Sequence, residues 1–288
     1  MQKIFHSIKK ASLTQKIAAL VVVILLLSFY LILPAKLFKP PTSYVIEDAD
    51  GNLLNATIAA DGQWRFPYNK NVNAHFIDCI TTYEDKRFYN HAGVDMNAIA
   101  RAFIANVKHT KTTQGGSTLT MQVIRMAEQN TNRSIWNKMK EVVLALRLEF
   151  GYSKNEIMGL YASNAPFGSN VVGLDAAAWR YFGRSADKLS WAENAMLAVL
   201  PNAPSLVHLG KNRAVLLQKR NALLDKLFEA NKISKEECEL AKTELLPDKP
   251  LPLPQNAPHL LQRFKKENKT GSTKITTTID GVLQLNIN

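Results

Sequence analysis

The sequence predicts a mainly α-helical domain set behind one membrane-spanning helix and a short stretch of β-hairpins. Three observations carry that expectation: an uncharged apolar run near the N-terminus, an alternating segment with two Asp-Gly turns, and a 3.6-residue period that persists from His75 to Leu245. With 288 residues and 46% hydrophobic content, the chain has ample material for a globular core.

In KIAALVVVILLLSFYLILPAK no charge falls between Lys16 and Lys36, and a spanning helix needs about 20 apolar residues. Residues 17–34 are therefore expected to cross a membrane. A secretory signal would carry an apolar stretch of about 7 to 15 residues and a small-x-small cleavage site, which LILPAK does not offer. Lys3, Lys9, Lys10 and Lys16 precede the span with no acid among them. Residues 1–16 should thus stay in the cytoplasm as a tail, with everything after Lys36 outside. In a bacterium that is a single-pass inner-membrane protein whose domain beyond the span lies in the periplasm.

The excess of 36 Lys and Arg over 24 Asp and Glu gives a net charge of +12. It suits phosphates, nucleic acid or acidic lipid headgroups without choosing among them; export of the basic domain argues against nucleic acid. With only Cys79 and Cys238 present, a disulfide framework and a multi-cysteine zinc site are both excluded.

Residues 35–74 contain SYVIEDADGNLLNATIAADGQWRF, whose alternation around Asp50-Gly51 and Asp61-Gly62 reads as short hairpins. DADGN lacks the full ligand spacing and closing glutamate of a calcium loop. From residue 75 to 245, Phe76, Cys79, Ile80 and Tyr83 share one helical face. Met96, Ile99, Phe103 and Val107 form a second stripe after the cap Asp95, and Ile135, Met139, Val142 and Leu146 a third after Ser134. Ser153 with Glu156, Ser190 with Glu193 and Ser234 with Glu237 have capping-box spacing, so these glutamates have structural work and are not catalytic candidates. The proline-rich residues 246–258 read as an extended linker. Residues 259–288 begin an alternating strand with nothing to pair with, as at the start of an incomplete second domain.

Three segments carry chemistry. Glu84 follows Ile80 by four residues, at the edge of an apolar stripe. A partly desolvated carboxylate there has a raised pKa and suits general-base work, against the plainer reading of a solvated helix end. In QGGSTLTMQVIR, Gly115 and Gly116 followed by Ser117 and Thr118 can open a helix whose free N–H groups face a phosphate, and Thr118, Gln122 and Arg125 share a face. The GxxxxGK[ST] pattern of a P-loop is missing. Lys138 and Glu141 stand three apart; on a surface such a pair is worth about 0.2–0.5 kcal/mol. Yet Ala145 and Leu148 continue their face, which makes it semi-buried.

EDKRFYNHAGVD, GGSTLTMQVIR, NKMKEVVLALRLE, EIMGLYASNAPFGSNVVGLDAAA and AMLAVLPNAPS together resemble the successive motifs of glycosyltransferase family 51, and APFG and RYFGRS are most similar to its 1C type. This is the peptidoglycan polymerase module of class A penicillin-binding proteins. The resemblance implies a lysozyme-like helical domain with a jaw dipping into the membrane, acting on lipid II and the growing glycan strand. It implies Glu84 as the base for the acceptor 4-hydroxyl and Glu141 as the second essential carboxylate near the pyrophosphate, with a divalent cation such as Mg²⁺ or Mn²⁺ there and no organic cofactor. Asp85, Phe88, His91, Ser117, Thr118, Gln122, Arg125 and Lys138 fall on motif positions that shape or contact the site. Other cell-wall synthesis proteins and membrane lipid are further expected partners. Two positions depart from the family pattern: Ser163 stands where Asn is usual, and Asn137 replaces a cation before Lys138.

Fragments of a penicillin-binding serine acyltransferase occur at Ser185–Lys188, Ser153–Asn155 and Lys269–Gly271, but out of order. The alternative to an enzyme is a non-catalytic, membrane-anchored scaffold that binds lipid II.

Overall fold

The computed structural model describes residues 12–101, 116–129, 134–201, 212–268 and 271–287. Expectations for Lys3, Lys9 and Lys10, for Phe103, Val107 and Gly115, and for Lys269-Thr270 lie outside the described residues. The chain is mainly helical. Helix α1 (Leu13–Leu31) opens on a capping box in which Ser12 Oγ accepts from the Gln15 N–H and the Gln15 side chain accepts from the Ser12 N–H. Its mean hydropathy is 2.0 and none of its residues is buried. It is the one helix among the described residues long and apolar enough to cross a membrane.

Strands β1 (Val45–Glu47) and β2 (Leu53–Ala56) form the first expected hairpin, antiparallel around Gly51 at φ +80°. The Asp48 carboxylate is spent on this turn, accepting from Asp50 N–H at 2.9 Å and Asn52 N–H at 2.7 Å. The second expected hairpin does not form as a strand pair. Its Asp61-Gly62 turn closes, with Ala59 N–H donating to Gln63 O at 3.0 Å, but β3 (Trp64–Arg65) then leaves β2.

The helical body follows in order: α2 (Ala74–Glu84), α3 (Leu119–Ala127), α4 (Ile135–Gly151) and α5 (Lys154–Asn164). The short β4 (Pro166–Gly168) and β5 (Val171–Val172) come next, and β3 pairs in parallel with β5. After them run α6 (Leu174–Phe182), α7 (Trp191–Val199), α8 (Arg213–Glu229) and α9 (Lys235–Thr243). Helix α2 starts on Asn73, whose side chain accepts from His75 N–H at 2.8 Å, and packs its Phe76, Cys79 and Ile80, all fully buried, against α7 and α8. Burying each such side chain is worth about 1.5–3 kcal/mol, so this stripe fixes the end of α2, where Glu84 sits. The three expected capping boxes, at Ser153, Ser190 and Ser234, are all present with Glu156, Glu193 and Glu237.

The stripe expected to bury α4 is corrected. Ile135 is 80% exposed and Met139 57%, while the buried face is Glu141, Leu144, Ala145 and Leu148. Both sides of this helix are apolar, so periodicity could not tell which one packs; α3 and α5 take the face that contains Glu141. On the other side Phe150 meets the Phe29 ring of α1 edge-on at 5.9 Å.

The C-terminal strand expected to lack a partner is also corrected. After α10 (Pro258–Glu267), strand β6 (Lys274–Thr276) pairs in parallel with β1, and the last helix is α11 (Gly281–Ile287). Ile46 and Leu54 of the hairpin bury against Ala257 and Leu261, which pays for closing a loop of roughly 210 residues only because the cost grows slowly with loop length. The proline-rich segment is extended but bound: Leu251 N–H donates to Arg180 O at 2.6 Å, Asn256 N–H to Leu54 O at 2.9 Å, and Leu246 and Leu253 are buried.

Candidate active site

Helix α3 organises the site. Thr118 is its N-cap, accepting from Met121 N–H at 3.2 Å while its own hydroxyl donates to Gly93 O at 2.6 Å. The next free amide, Leu119 N–H, donates to Asp85 Oδ2 at 3.0 Å. The helix start therefore faces a carboxylate of the protein itself, which suits the positive end of the helix dipole. Both Asp85 oxygens also lie 3.0 Å from His91 Nε2. The segment after Glu84 is thus bound to the start of α3 at two points and closed on itself by the Asp85–His91 pair.

That segment is braced from the far side as well. Lys154 Nζ donates to His91 O at 2.6 Å and to Glu149 Oε1 at 2.7 Å, and lies 4.5 Å from the centre of the buried Phe88 ring. Thr120 Oγ1 donates to the same Glu149 oxygen at 2.7 Å. Arg87 holds Asp95, whose Oδ1 accepts from Ala98 N–H at 2.8 Å as the cap expected there. Asp85, Phe88, His91 and Thr118 are therefore engaged inside the protein.

Beyond its cap, α3 presents Gln122 and Arg125 one turn apart, positions whose Cβ atoms are about 5–6 Å apart on a helix. Gln122 Nε2 donates to Glu84 Oε2 at 2.9 Å. Burial raises the Glu84 pKa; the Gln122 bond opposes it, the Asp85 charge adds to it and Lys219 opposes it, leaving the carboxyl above its ordinary value. Arg125 binds Glu141 with a two-pronged grip, Nε to Oε1 and Nη2 to Oε2, both at 2.8 Å. Lys138 Nζ lies 3.5 Å from Glu141 Oε2 and donates to Ser117 Oγ at 2.5 Å. Burial alone would raise the Glu141 pKa, but the Arg125 bonds and charge, with Lys138, hold it below its ordinary value. Burial pushes the Lys138 pKa down against the pull of Glu141.

The two glutamates, one ending α2 and the other on α4, thus meet neighbouring turns of α3 in opposite environments. Glu84 is desolvated and hydrogen-bonded by a neutral amide, as a base needs. Glu141 is a fixed anion holding two cations. This side-by-side separation of pKa values is how acid–base roles are divided in a site.

Two groups near Glu84 escaped the sequence reading. Tyr161 on α5 is fully buried, its hydroxyl has no partner among the described residues, and burial together with the charges of Glu84 and Tyr83 drives its pKa well up. Lys219 on α8 acts on Glu84 electrostatically. Tyr161 lay within a quoted motif without a role, and no local pattern distinguishes Lys219 from other helical lysines. Of the two departures, Ser163 Oγ accepts from Asn69 N–H at 3.1 Å and ties α5 to the segment before α2. Asn137 N–H donates to the N-cap Ser134 of α4.

Among the described residues no group of three or more His, Cys, Asp or Glu could hold a divalent cation, and both Glu141 oxygens already accept from Arg125.

The Transglycosylase family model matches residues 50–228. Penicillin-binding protein 1C of Escherichia coli K12 is 36% identical over 252 residues, covering 87% of this chain and 32% of its own. Penicillin-binding protein 1A of Aquifex aeolicus is 34% identical over 251 residues, covering 84% and 34%. The chain spans about a third of the length of these relatives. The crystal structure of penicillin-binding protein 1A from Haemophilus influenzae aligns over 85% of this chain and 28% of that one, with a TM-score of 0.39 and 19% identity.

Proposed function

Because this chain belongs to the transglycosylase family, we propose that it is a peptidoglycan glycosyltransferase that polymerises lipid II into β-1,4-linked glycan, releasing the lipid pyrophosphate. Glu84 removes the proton from the acceptor 4-hydroxyl as that oxygen attacks the anomeric carbon of the donor. One base and one displacement invert that carbon, from the α-linked pyrophosphate to a β bond. The observation that carries this reading is the geometry: a half-buried Glu84, its carboxyl pushed up by desolvation, is held by Gln122 on the same helix that grips Glu141.

A glycosidase must protonate a sugar leaving group. Pyrophosphate leaves as an anion, so fixed cations suffice to gather its charge. Arg125 and Lys138 are those cations, and Glu141 acts by holding both in place. Ser117 bridges them, accepting from Lys138 and lying 3.5 Å from Arg125 Nη2. Asp85, His91, Phe88 and Thr118 position the segment after Glu84 rather than touch the sugar. Helix α1 anchors the domain to the inner membrane with its N-terminus in the cytoplasm, where the substrate's lipid tail is within reach of the site.

The test is polymerisation of lipid II by the purified protein, read as glycan on a gel. Glu84→Gln is expected to cut the rate by roughly 10²–10⁴ with the fold and substrate binding retained. Normal polymerisation by that variant removes Glu84 as the base. No polymer from the unaltered chain, with lipid II still bound, leaves the non-catalytic scaffold.

A further inference from the structure

A large groove just after α1 plays no part in the chemistry above. It has a volume of about 980 Å³ and begins at Ala35, four residues past the end of the helix. Lys36, Lys39, Arg65 and Lys265 line it, against one acid among the described residues, Glu156. That acid is committed to its capping box, accepting from Ser153 N–H and Oγ at 2.8 Å each. Arg65 is committed too, donating to Asp61 and to Pro41 O at 2.7 Å each. The three lysines have no such commitment among the described residues: Lys36 and Lys39 are exposed, and Lys265 stands 5.5 Å over the Tyr44 ring.

The height of the groove follows from the anchor. Nineteen helical residues span about 28 Å, close to the roughly 30 Å hydrocarbon core of a bilayer. Four further residues reach at most about 14 Å, so the mouth of the groove opens in the headgroup layer. The far wall agrees. Arg147 Nε donates to Tyr30 O at 3.0 Å, its guanidinium lies 4.8 Å over the Tyr30 ring, and Tyr152, just beyond it, lines the groove. Tyr44, Tyr68 and Tyr152 supply the amphipathic rings favoured at that depth.

We propose that this groove binds the phosphate headgroup of an anionic glycerophospholipid from the membrane that α1 crosses. Lys36, Lys39 and Lys265 meet the phosphate charge, and the tyrosines flank the glycerol and the first methylenes. An inorganic phosphate would leave most of 980 Å³ unfilled, and a neutral sugar chain would leave three ammonium groups unmatched; a lipid satisfies both volume and charge. The proposal rests on the membrane anchoring of α1 and is independent of the glycan chemistry.

The experiment uses the full chain in phosphatidylcholine nanodiscs carrying a small fraction of photoactivatable phosphatidylglycerol, with cross-links mapped by mass spectrometry. Labelling is expected within residues 35–44, 152–164, 265–268 and 271–273, and to fall about fivefold per lysine removed in Lys36→Gln, Lys39→Gln and Lys265→Gln combined. Lys226→Gln, Lys235→Gln and Lys249→Gln combined, an equal loss of exposed charge, should leave it unchanged. Equal labelling by a photoactivatable phosphatidylcholine, or an equal loss in both triple variants, overturns the headgroup site. So does displacement by millimolar inorganic phosphate or by glycan fragments, which would reassign the groove. Failure of the protein to enter phosphatidylcholine discs at all is a separate result, which overturns the anchoring and the groove's place in the headgroup layer together.

Discussion

The grip of Arg125 on Glu141 can be dissected by Arg125→Met. Glu141 is 7% exposed, and removing one partner of a buried ion pair costs about 3–5 kcal/mol because the other charge is left without compensation. The Arg125 side chain is 33% exposed and Lys138 stays 3.5 Å from the carboxylate, so solvent and the second cation reduce the expected loss to about 2 kcal/mol. Adding Glu141→Leu removes the stranded charge and should recover most of it, giving a coupling energy of at least about 1 kcal/mol. Urea unfolding in detergent, followed by tryptophan fluorescence, measures all four proteins. The pH dependence has a definite sign. Burial raises the Glu141 pKa, but Arg125 and Lys138 bring the folded value below that of the unfolded chain. The pair's stabilisation is therefore fully present above about pH 4.5 and is lost as pH falls through the lower folded value. The gap between wild type and Arg125→Met should be full at pH 7.5 and shrink below pH 4.5. A single variant as stable as wild type at pH 7.5, or a double variant that loses the sum of the two singles, refutes the account.

Gly93 sits at φ +82°, and a Cβ there would lie 2.7 Å from Ala145 O, so Gly93→Ala should cost more than about 2 kcal/mol. A thermal midpoint lowered by ~4 °C or more checks it. Thr118→Ala removes a helix cap worth about 1 kcal/mol and the hydroxyl that donates to Gly93 O; Thr118→Ser, which keeps both bonds, should restore the unfolding midpoint. Since Glu141 is already held by Arg125 and no three-ligand group is found among the described residues, polymerisation is expected to persist in EDTA. A loss that Mg²⁺ or Mn²⁺ restores would show a metal at the site.

What could be read from the sequence was local. The capping boxes at Ser153, Ser190 and Ser234 need only three residues each, and the α2 stripe of Phe76, Cys79 and Ile80 needs only one turn and its repeat; all of these are present. The Asp50-Gly51 hairpin is equally local. The parallel pairing of β6 with β1 and of β3 with β5 joins segments with no mutual signal in the chain. The exposed face of α4 misled because Ile135 and Met139 are as apolar as Leu144 and Leu148. Lys219 and Tyr161 reach Glu84 only through the packing of α8 and α5.

The sequence could nominate Glu84 and Glu141 separately but could not say what relates them, and that relation is the helix between them. Leu119 N–H binds Asp85, the residue after Glu84; Gln122 binds Glu84; Arg125 binds Glu141. One rigid element of nine residues therefore sets both carboxylates, and a shift of its first turn moves both together. Damage at Thr118 or Asp85, neither of which holds Glu141, should then lower the activity that depends on either glutamate, and by the same mechanism. Damage at Arg125 should reach Glu141 alone and leave the pH dependence of the base intact.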